Sequence, residues 1–239
     1  MTMGKTTNGH KEDASLFKVI EMLSELIVYN RYDFNQFLKQ FITVLIQVVP
    51  VDSCLIFVYD ADKKQLILIG SRKPHSEQIG SIILEKGEGV TGWVAEHKKT
   101  VAIEKRAYED ARFKFFEELP EDRYEAFLSV PIISGEGIVG VINLHNKKPY
   151  KFSKTEIKSS ESLVKIISSA FTEVMLQRKV DQLENKLAER KVVERAKGVL
   201  MKSKGINEDE AYHFIRKEAM NKRKSMREIS EAVLLLSNK

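Results

Sequence analysis

A single cysteine, Cys54, in 239 residues leaves no partner for an intramolecular disulfide and too few thiols for a Cys-rich zinc site. The five histidines, His10, His75, His97, His145 and His213, never fall at ligand spacing, so no metal is expected. No apolar run approaches the ~20 residues that span a bilayer, and the first dozen residues are polar, without a signal-peptide core. These absences predict a cytoplasmic protein, off the membrane and without a cofactor. Also missing is any nucleophile with its base or any pair of carboxylates in a catalytic setting, so no enzyme is expected. Net charge is absent too from most of the chain: the residues before Ala188 carry 26 basic and 26 acidic side chains.

What is there is concentrated at the other end. From Ala188 to Lys239, 13 Lys and Arg face 8 Asp and Glu, so the whole excess of +5 sits in one segment, as expected of a nucleic-acid-binding piece appended to a neutral one. Its apolar pattern says that the segment folds. Val193, Ala196, Val199 and Leu200 recur at helical spacing until Gly205. Asn207 with Glu210 then makes an N-cap pair, opening a helix with Ala211, Phe214, Ile215 and Ala219 on one face and an end near Asn221. Ser225 with Glu228 repeats the capping spacing before a third stripe of Met226, Ile229, Val233 and Leu236.

The runs AKGVLM at Ala196 to Met201, DEAYHFIRKEAM at Asp209 to Met220 and EISEAV at Glu228 to Val233, with Gly205 between the first two, resemble an ANTAR domain. The resemblance implies a three-helix, dimeric binder of paired RNA stem-loops in nascent transcripts that acts in transcription antitermination. Ser230 stands where that family more often has Ala, and little consequence is expected. With Val199, Ala211, Ile215, Ala219, Ile229 and Val233 inward, helical periods put Arg195, Lys197, Lys202, Arg216, Lys217, Arg223, Lys224 and Arg227 outward as the expected RNA-binding face. Lys222 reads equally as a solvated charge or a contact.

Upstream, Met1 to Asp13 reads as disordered. Helical spacing follows over Ala14 to Val28 and Asp33 to Val49. The period then changes to strands at Ser53 to Asp60 and Gln65 to Ser71, joined by the polar turn Ala61 to Lys64. Gly87, Gly89 and Gly92 spell GxGxxG literally, but the helix around Trp93 ends by Lys99, too soon for a dinucleotide crossover. A strand from Thr100 and a hairpin of Ala126 to Ile133 and Gly137 to Asn146 complete an α+β sheet. The runs GEGVTGWVAEHKKTVAI, FLSVPII, GVINLHN and the stretch from Phe152 to Glu156 resemble a GAF domain. That resemblance implies a small-molecule effector site between the sheet and its covering loops, and frequent dimerisation.

Tyr59, Trp93 and Phe113 are the aromatics nominated to line such a pocket, each reading equally as core. Asn146, Lys147 and Phe152 match the motif of cyclic-nucleotide-binding members, but those carry an acidic pair where this chain has Glu156 and Ile157, so Phe152 and Glu156 read better as a core anchor and a first-turn acid. Cys54 lies within a strand and reads as a buried hydrophobe; a GAF-type methionine sulfoxide reductase needs cysteines that can pair.

No Pro or Gly interrupts the chain from Ser153 to Gly198, and Leu176, Val180, Leu183 and Leu187 alternate by four, three and four, the seam of a coiled coil. The expected layout is a disordered start (1–13), a GAF-like α+β sensor domain (14–171), a coiled-coil linker helix (172–190) and an all-α three-helix ANTAR domain (191–239), assembled as a homodimer. A ligand-responsive DNA-binding factor is the alternative, since three short basic helices also suit a helix-turn-helix; against it, no helix concentrates Arg, Asn and Gln at a base-reading N-terminus.

Overall fold

The computed structural model describes residues 18–28, 33–72, 77–117, 119–135 and 137–237; the polar start and the first residues of the expected leading helix lie outside them. Backbone proximity divides the chain after Met175 into two compact units.

The first unit is built on a six-stranded sheet ordered β3-β2-β1-β6-β5-β4, every described pairing antiparallel. Its strands are β1 (Ser53–Asp60), β2 (Gln65–Ser71), β3 (Ile83–Glu85), β4 (Val101–Ile103), β5 (Ala126–Ser134) and β6 (Gly137–Asn146). The β1–β2 turn closes because Asp60 Oδ1 accepts from the backbone of Asp62 and Lys63, an Asx turn that competes successfully with strand continuation. At Gly140 the two central strands come so close that a Cβ would lie 2.3 Å from the Phe57 carbonyl oxygen, which only glycine permits.

Alternation along the strands separates two cores. Cys54 and Ile56 of β1, Leu128, Val130 and Ile132 of β5, and Ile142 and Leu144 of β6 face the helical layer. That layer comprises α1 (18–28), α2 (Phe34–Val48) and the beginning of α4 (Lys154–Lys204). Phe37, Phe41 and Phe171 meet there as three tilted rings with centroids 6.0–6.2 Å apart, a geometry that favours ring quadrupoles beyond their area burial. Leu55, Phe57, Leu66, Leu68, Phe127 and Val141 face the other way, against α3 (Gly89–His97) and the loops around it. Burial pushes the Cys54 thiol up to about 12, so it packs as an inert hydrophobe.

The second unit holds the later part of α4, α5 (Glu208–Lys222) and α6 (Met226–Ser237). Gly205, at φ 67°, supplies the left-handed residue that ends α4. Both expected capping boxes form. Asn207 Oδ1 accepts from Glu210 N at 2.9 Å while Glu210 Oε2 accepts from Asn207 N at 2.9 Å, and Ser225 and Glu228 repeat the exchange. Asn207→Ala should therefore lower the stability of this unit by about 1 kcal/mol, read as an earlier denaturant midpoint for the C-terminal transition.

The common core consists of Val193, Ala196, Leu200, Ala211, Ile215, Ala219 and Ile229, with Phe214, Met226, Val233 and Leu234 at its margin. Two expectations fail here. Val199 is half-buried and outside the cluster, and Leu236 is 76% exposed, because Leu234, not Leu236, continues the inward stripe one residue past Val233. Ser230 is fully buried and donates its hydroxyl to the Met226 carbonyl at 2.7 Å, which satisfies the polar atom within its own helix.

Candidate functional site

Two places have the chemistry to bind something. The first lies on the α3 side of the sheet, where strand alternation turns Asn143 and His145 toward the same face as Val141. Asn143 Oδ1 accepts from Ser129 Oγ at 2.8 Å, and its Nδ2 donates to Thr91 Oγ1 at 2.8 Å, so a polar chain crosses from β5 through β6 to α3. His145, 3% exposed, stands opposite Ser53 in the β1–β6 register and lies edge-on to Phe127 at 4.6 Å. The Glu121 backbone holds one ring nitrogen, while Nε2 has no hydrogen-bond partner. Ser53 Oγ donates to Glu121 Oε1 at 2.7 Å beneath it.

Thr91, Asn143 and His145, with Leu55, Phe57, Leu84, Val90, Phe113 and Phe116, line a cavity of ≈ 30 Å³, room for about one water. Burial pushes the His145 imidazole down to about 4, against the raising effects of the Glu121 charge and backbone bond. Its stabilising neutral form is thus fully populated above the ordinary value of 6.5 and is lost as pH falls toward about 4. Between those limits, stability should fall less steeply with acid in His145→Gln than in the parent, as measured by denaturation at a series of pH values.

The nominated aromatics divide. Phe113 lines the cavity; Tyr59 and Trp93 do not. Tyr59 pairs with Leu66 near the far end of β1, whereas the cavity sits where Leu55 and Phe57 face α3. Trp93 is two residues, ~200° around the helix, from the cavity-facing Thr91. It stacks instead on His97 at 4.1 Å, with the Arg112 guanidinium 4.9 Å from its ring. A larger depression of ≈ 320 Å³, lined by Lys154, Thr155, Lys158, Ser159 and Ser162, is formed by one helix alone and offers no converging groups.

The second place is the basic surface of the three-helix unit. Arg195 and Lys202, seven residues apart, share one side of α4; Arg216 and Lys217 are exposed on α5; Arg223, Lys224 and Arg227 cluster at the α5–α6 turn. Among the described residues, Arg195, Lys202, Arg216, Lys217, Arg223 and Lys224 are drawn into no ion pair, while Arg227 reaches Glu231 at 2.9 Å and Lys222 reaches Glu218 at 3.1 Å. Lys197 does not face outward. It is 7% exposed, with its ammonium 2.8 Å from Glu194 and 2.7 Å from Glu208, and these two carboxylates raise its pKa in that order. The reason is positional: residue 197 lies four after Val193 and three before Leu200, on the apolar stripe itself, where it ties α4 to the first turn of α5.

The profile of the GAF domain family matches residues 32–172, more than half of the chain. The chain belongs to the GAF domain family. A second profile, the ANTAR domain, matches residues 181–234. The GAF domain resembles that of a phosphoenolpyruvate-protein phosphotransferase (ptsP) from Coxiella burnetii, with a TM-score of 0.61 and 22% identity over 69% of this chain and 96% of that one, a likeness of fold alone. The chain is 38% identical over 72 residues to the transcriptional regulatory protein PdtaR of Mycobacterium tuberculosis, covering 30% of this chain and 35% of that protein. It is 46% identical over 52 residues to the nitrate regulatory protein of Klebsiella oxytoca, covering 22% and 13% respectively. The chain thus spans about a third or less of the length of these curated relatives.

Within the GAF domain, the residues that approximate the cyclic-nucleotide motif are occupied structurally. Phe152 is in the helical-side core, Glu156 exchanges capping bonds with Ser153 and accepts from the Tyr150 hydroxyl, and Asn146 bridges the Pro50 carbonyl and the Asp52 amide. The GxGxxG glycines shape the turn into α3: a Cβ on Gly92 would lie 2.5 Å from the Glu85 carbonyl oxygen. Asn143 and His145 were the residues missed. Their signal was present in GVINLHN, where two polar side chains alternate on one face of an otherwise apolar strand.

Proposed function

We propose that this protein is an RNA-binding transcription antitermination regulator, in which the GAF domain senses a small effector and the ANTAR domain captures nascent stem-loops. The observation that carries this reading is the surface of the ANTAR unit: a closed apolar core with six exposed Lys and Arg side chains, free of ion pairs among the described residues. Six cations without an ion-pair contact can each neutralise a phosphate, and the arginines can also stack on or hydrogen-bond unpaired loop bases. The match to the ANTAR profile and the regulatory names of the two relatives support it. The face consists of Arg195, Lys202, Arg216, Lys217, Arg223, Lys224 and, once its exposed pair with Glu231 opens, Arg227. Lys197 is reassigned to holding the bundle together.

The active form in this reading is a homodimer. Leu176, Val180, Leu183 and Leu187 are 58%, 45%, 57% and 54% exposed on the single chain, an apolar seam that a second copy of α4 would cover. Continuity of α4 from Lys154 to Lys204 provides the physical means by which occupancy of the GAF domain would reach the RNA-binding helices. We read the protein as a binder, not an enzyme: the one buried thiol is held protonated and has no cysteine to pair with. Filter binding of a stem-loop RNA and a duplex DNA at one salt concentration tests the reading. The RNA should bind at least ~10-fold more tightly; equal or preferential DNA binding would turn the assignment to a DNA-binding factor.

A further inference from the structure

The chemistry around His145 narrows what the GAF cavity can accept, given the reading of that domain as the sensor. One imidazole nitrogen is engaged by the Glu121 backbone, and the other, Nε2, is enclosed without a partner. A neutral ring whose Nδ1 proton is given to a carbonyl presents a lone pair at Nε2, so that atom asks for a donor. The other polar side chains on the lining are engaged: Asn143 accepts from Ser129 and donates to Thr91, and the ammonium of Lys114 sits 3.0 Å from Glu88. An anion entering here would meet a lone pair, the nearby Glu121 carboxylate and no uncommitted cation among the lining residues. The remaining wall is flat and apolar, with Phe113, Phe116 and Phe127 among its members. Phe113 and Phe116 are only partly buried, and a ligand larger than one water requires these two side chains to move outward from the ≈ 30 Å³ space.

We propose that this cavity takes a small, neutral, planar molecule that donates one O–H or N–H hydrogen bond to His145 Nε2 and lays its apolar body against the three phenylalanines. The proposal rests on the sensor reading but goes further, since it assigns the accepting atom and excludes anionic effectors.

Phenol, toluene and benzoate test it directly on the full-length protein. The three share a ring, and differ in carrying a donor, no donor and a negative charge. Long-range proton–nitrogen correlation spectra of the imidazole rings, recorded through each titration, report on His145 Nε2 without a mutation. Phenol should move the Nε2 resonance toward its hydrogen-bonded position and raise the melting temperature of the sheet domain. Toluene should bind about tenfold more weakly, as the loss of one buried hydrogen bond predicts, and leave Nε2 unmoved. Benzoate should not bind. A His145→Phe variant that remains folded should lose the preference for phenol over toluene. Equal affinities for phenol and toluene, or tighter binding of benzoate, would overturn the assigned ligand class while leaving the cavity as a sensor site. If none of the three moves any cavity resonance, Nε2 is met by water alone, and both the proposal and the placing of the sensor in this cavity fall.

Discussion

A chain carrying Leu183→Glu and Leu187→Glu is expected to sediment as a monomer at micromolar concentration and to bind a stem-loop RNA about 100-fold more weakly than the parent. Each leucine is more than half exposed on the single chain and lies in the four-three-four spacing with Leu176 and Val180. A second copy of α4 would bury all four, and two carboxylates at the same positions of both helices would face like charges across the seam. The loss of affinity follows from valence: paired stem-loops held by two linked sites gain the effective concentration that one site lacks, worth roughly 10²–10⁴. Neither mutated residue belongs to the three-helix core, whose first member is Val193, and both are exposed on the single chain, so its melting transition should be retained. Sedimentation of the parent as a monomer would remove the basis of this expectation, and a monomeric variant with parental affinity would remove the link between dimer and RNA.

Charge reversal at Lys197 should have the other large effect, by a different route from loss of a surface cation. Lys197→Glu would set a third carboxylate beside Glu194 and Glu208, on the apolar stripe of α4. The expected cost is about 2–3 kcal/mol, less than the ~3–5 kcal/mol of a fully enclosed broken pair because solvent screens the partners. Glu194 and Glu208 are 52% and 66% exposed. Thermal melting would show the C-terminal transition several degrees lower, and RNA binding would fall with the folded fraction. Lys197→Met, which keeps the stem and removes the charge, should retain the fold and most of the RNA affinity. Arg216→Ala supplies the contrast. Its side chain is exposed and outside any described ion pair, so melting should be unchanged. Affinity should fall by about 1–3 kcal/mol if the guanidinium reads a base, or the salt dependence should lose about one unit of slope if it neutralises a phosphate. A Lys197→Met protein that folds but no longer binds would return that residue to the RNA surface.

Local chemistry was legible in the residues themselves. Asn207 with Glu210 and Ser225 with Glu228 announced two helix starts, because a capping box is satisfied within four residues and needs nothing from the rest of the chain. Five of the six strands were equally plain, since period-two alternation and an Asx turn are short-range devices, whereas β3 (Ile83–Glu85), three residues long, was not expected because it is too short to show alternation. The glycine-rich loop was correctly separated from a nucleotide fingerprint by the length of the helix it opens, Gly89–His97. Net charge likewise located the basic end before any fold was known.

What the residues could not settle is which neighbour covers each face. Lys197 looked like a surface cation because lysine usually is one, yet Glu208, eleven residues on, becomes its partner only when α5 folds back against α4. Tyr59 and Trp93 had the side chains of pocket residues, but cavity position depends on strand register and helix rotation, and these bring forward Asn143, His145 and Thr91. Leu234 and Leu236 are the same residue type two positions apart, and only the packing of α6 decides that one meets the core while the other faces solvent. The sequence by itself therefore determined most of the elements, two of the helix starts and their order, which rest on interactions a few residues long, and the charged end, which rests on composition. Tertiary structure decided which side chains converge, because the free energy of burial belongs to a pair of surfaces and cannot be assigned to either alone.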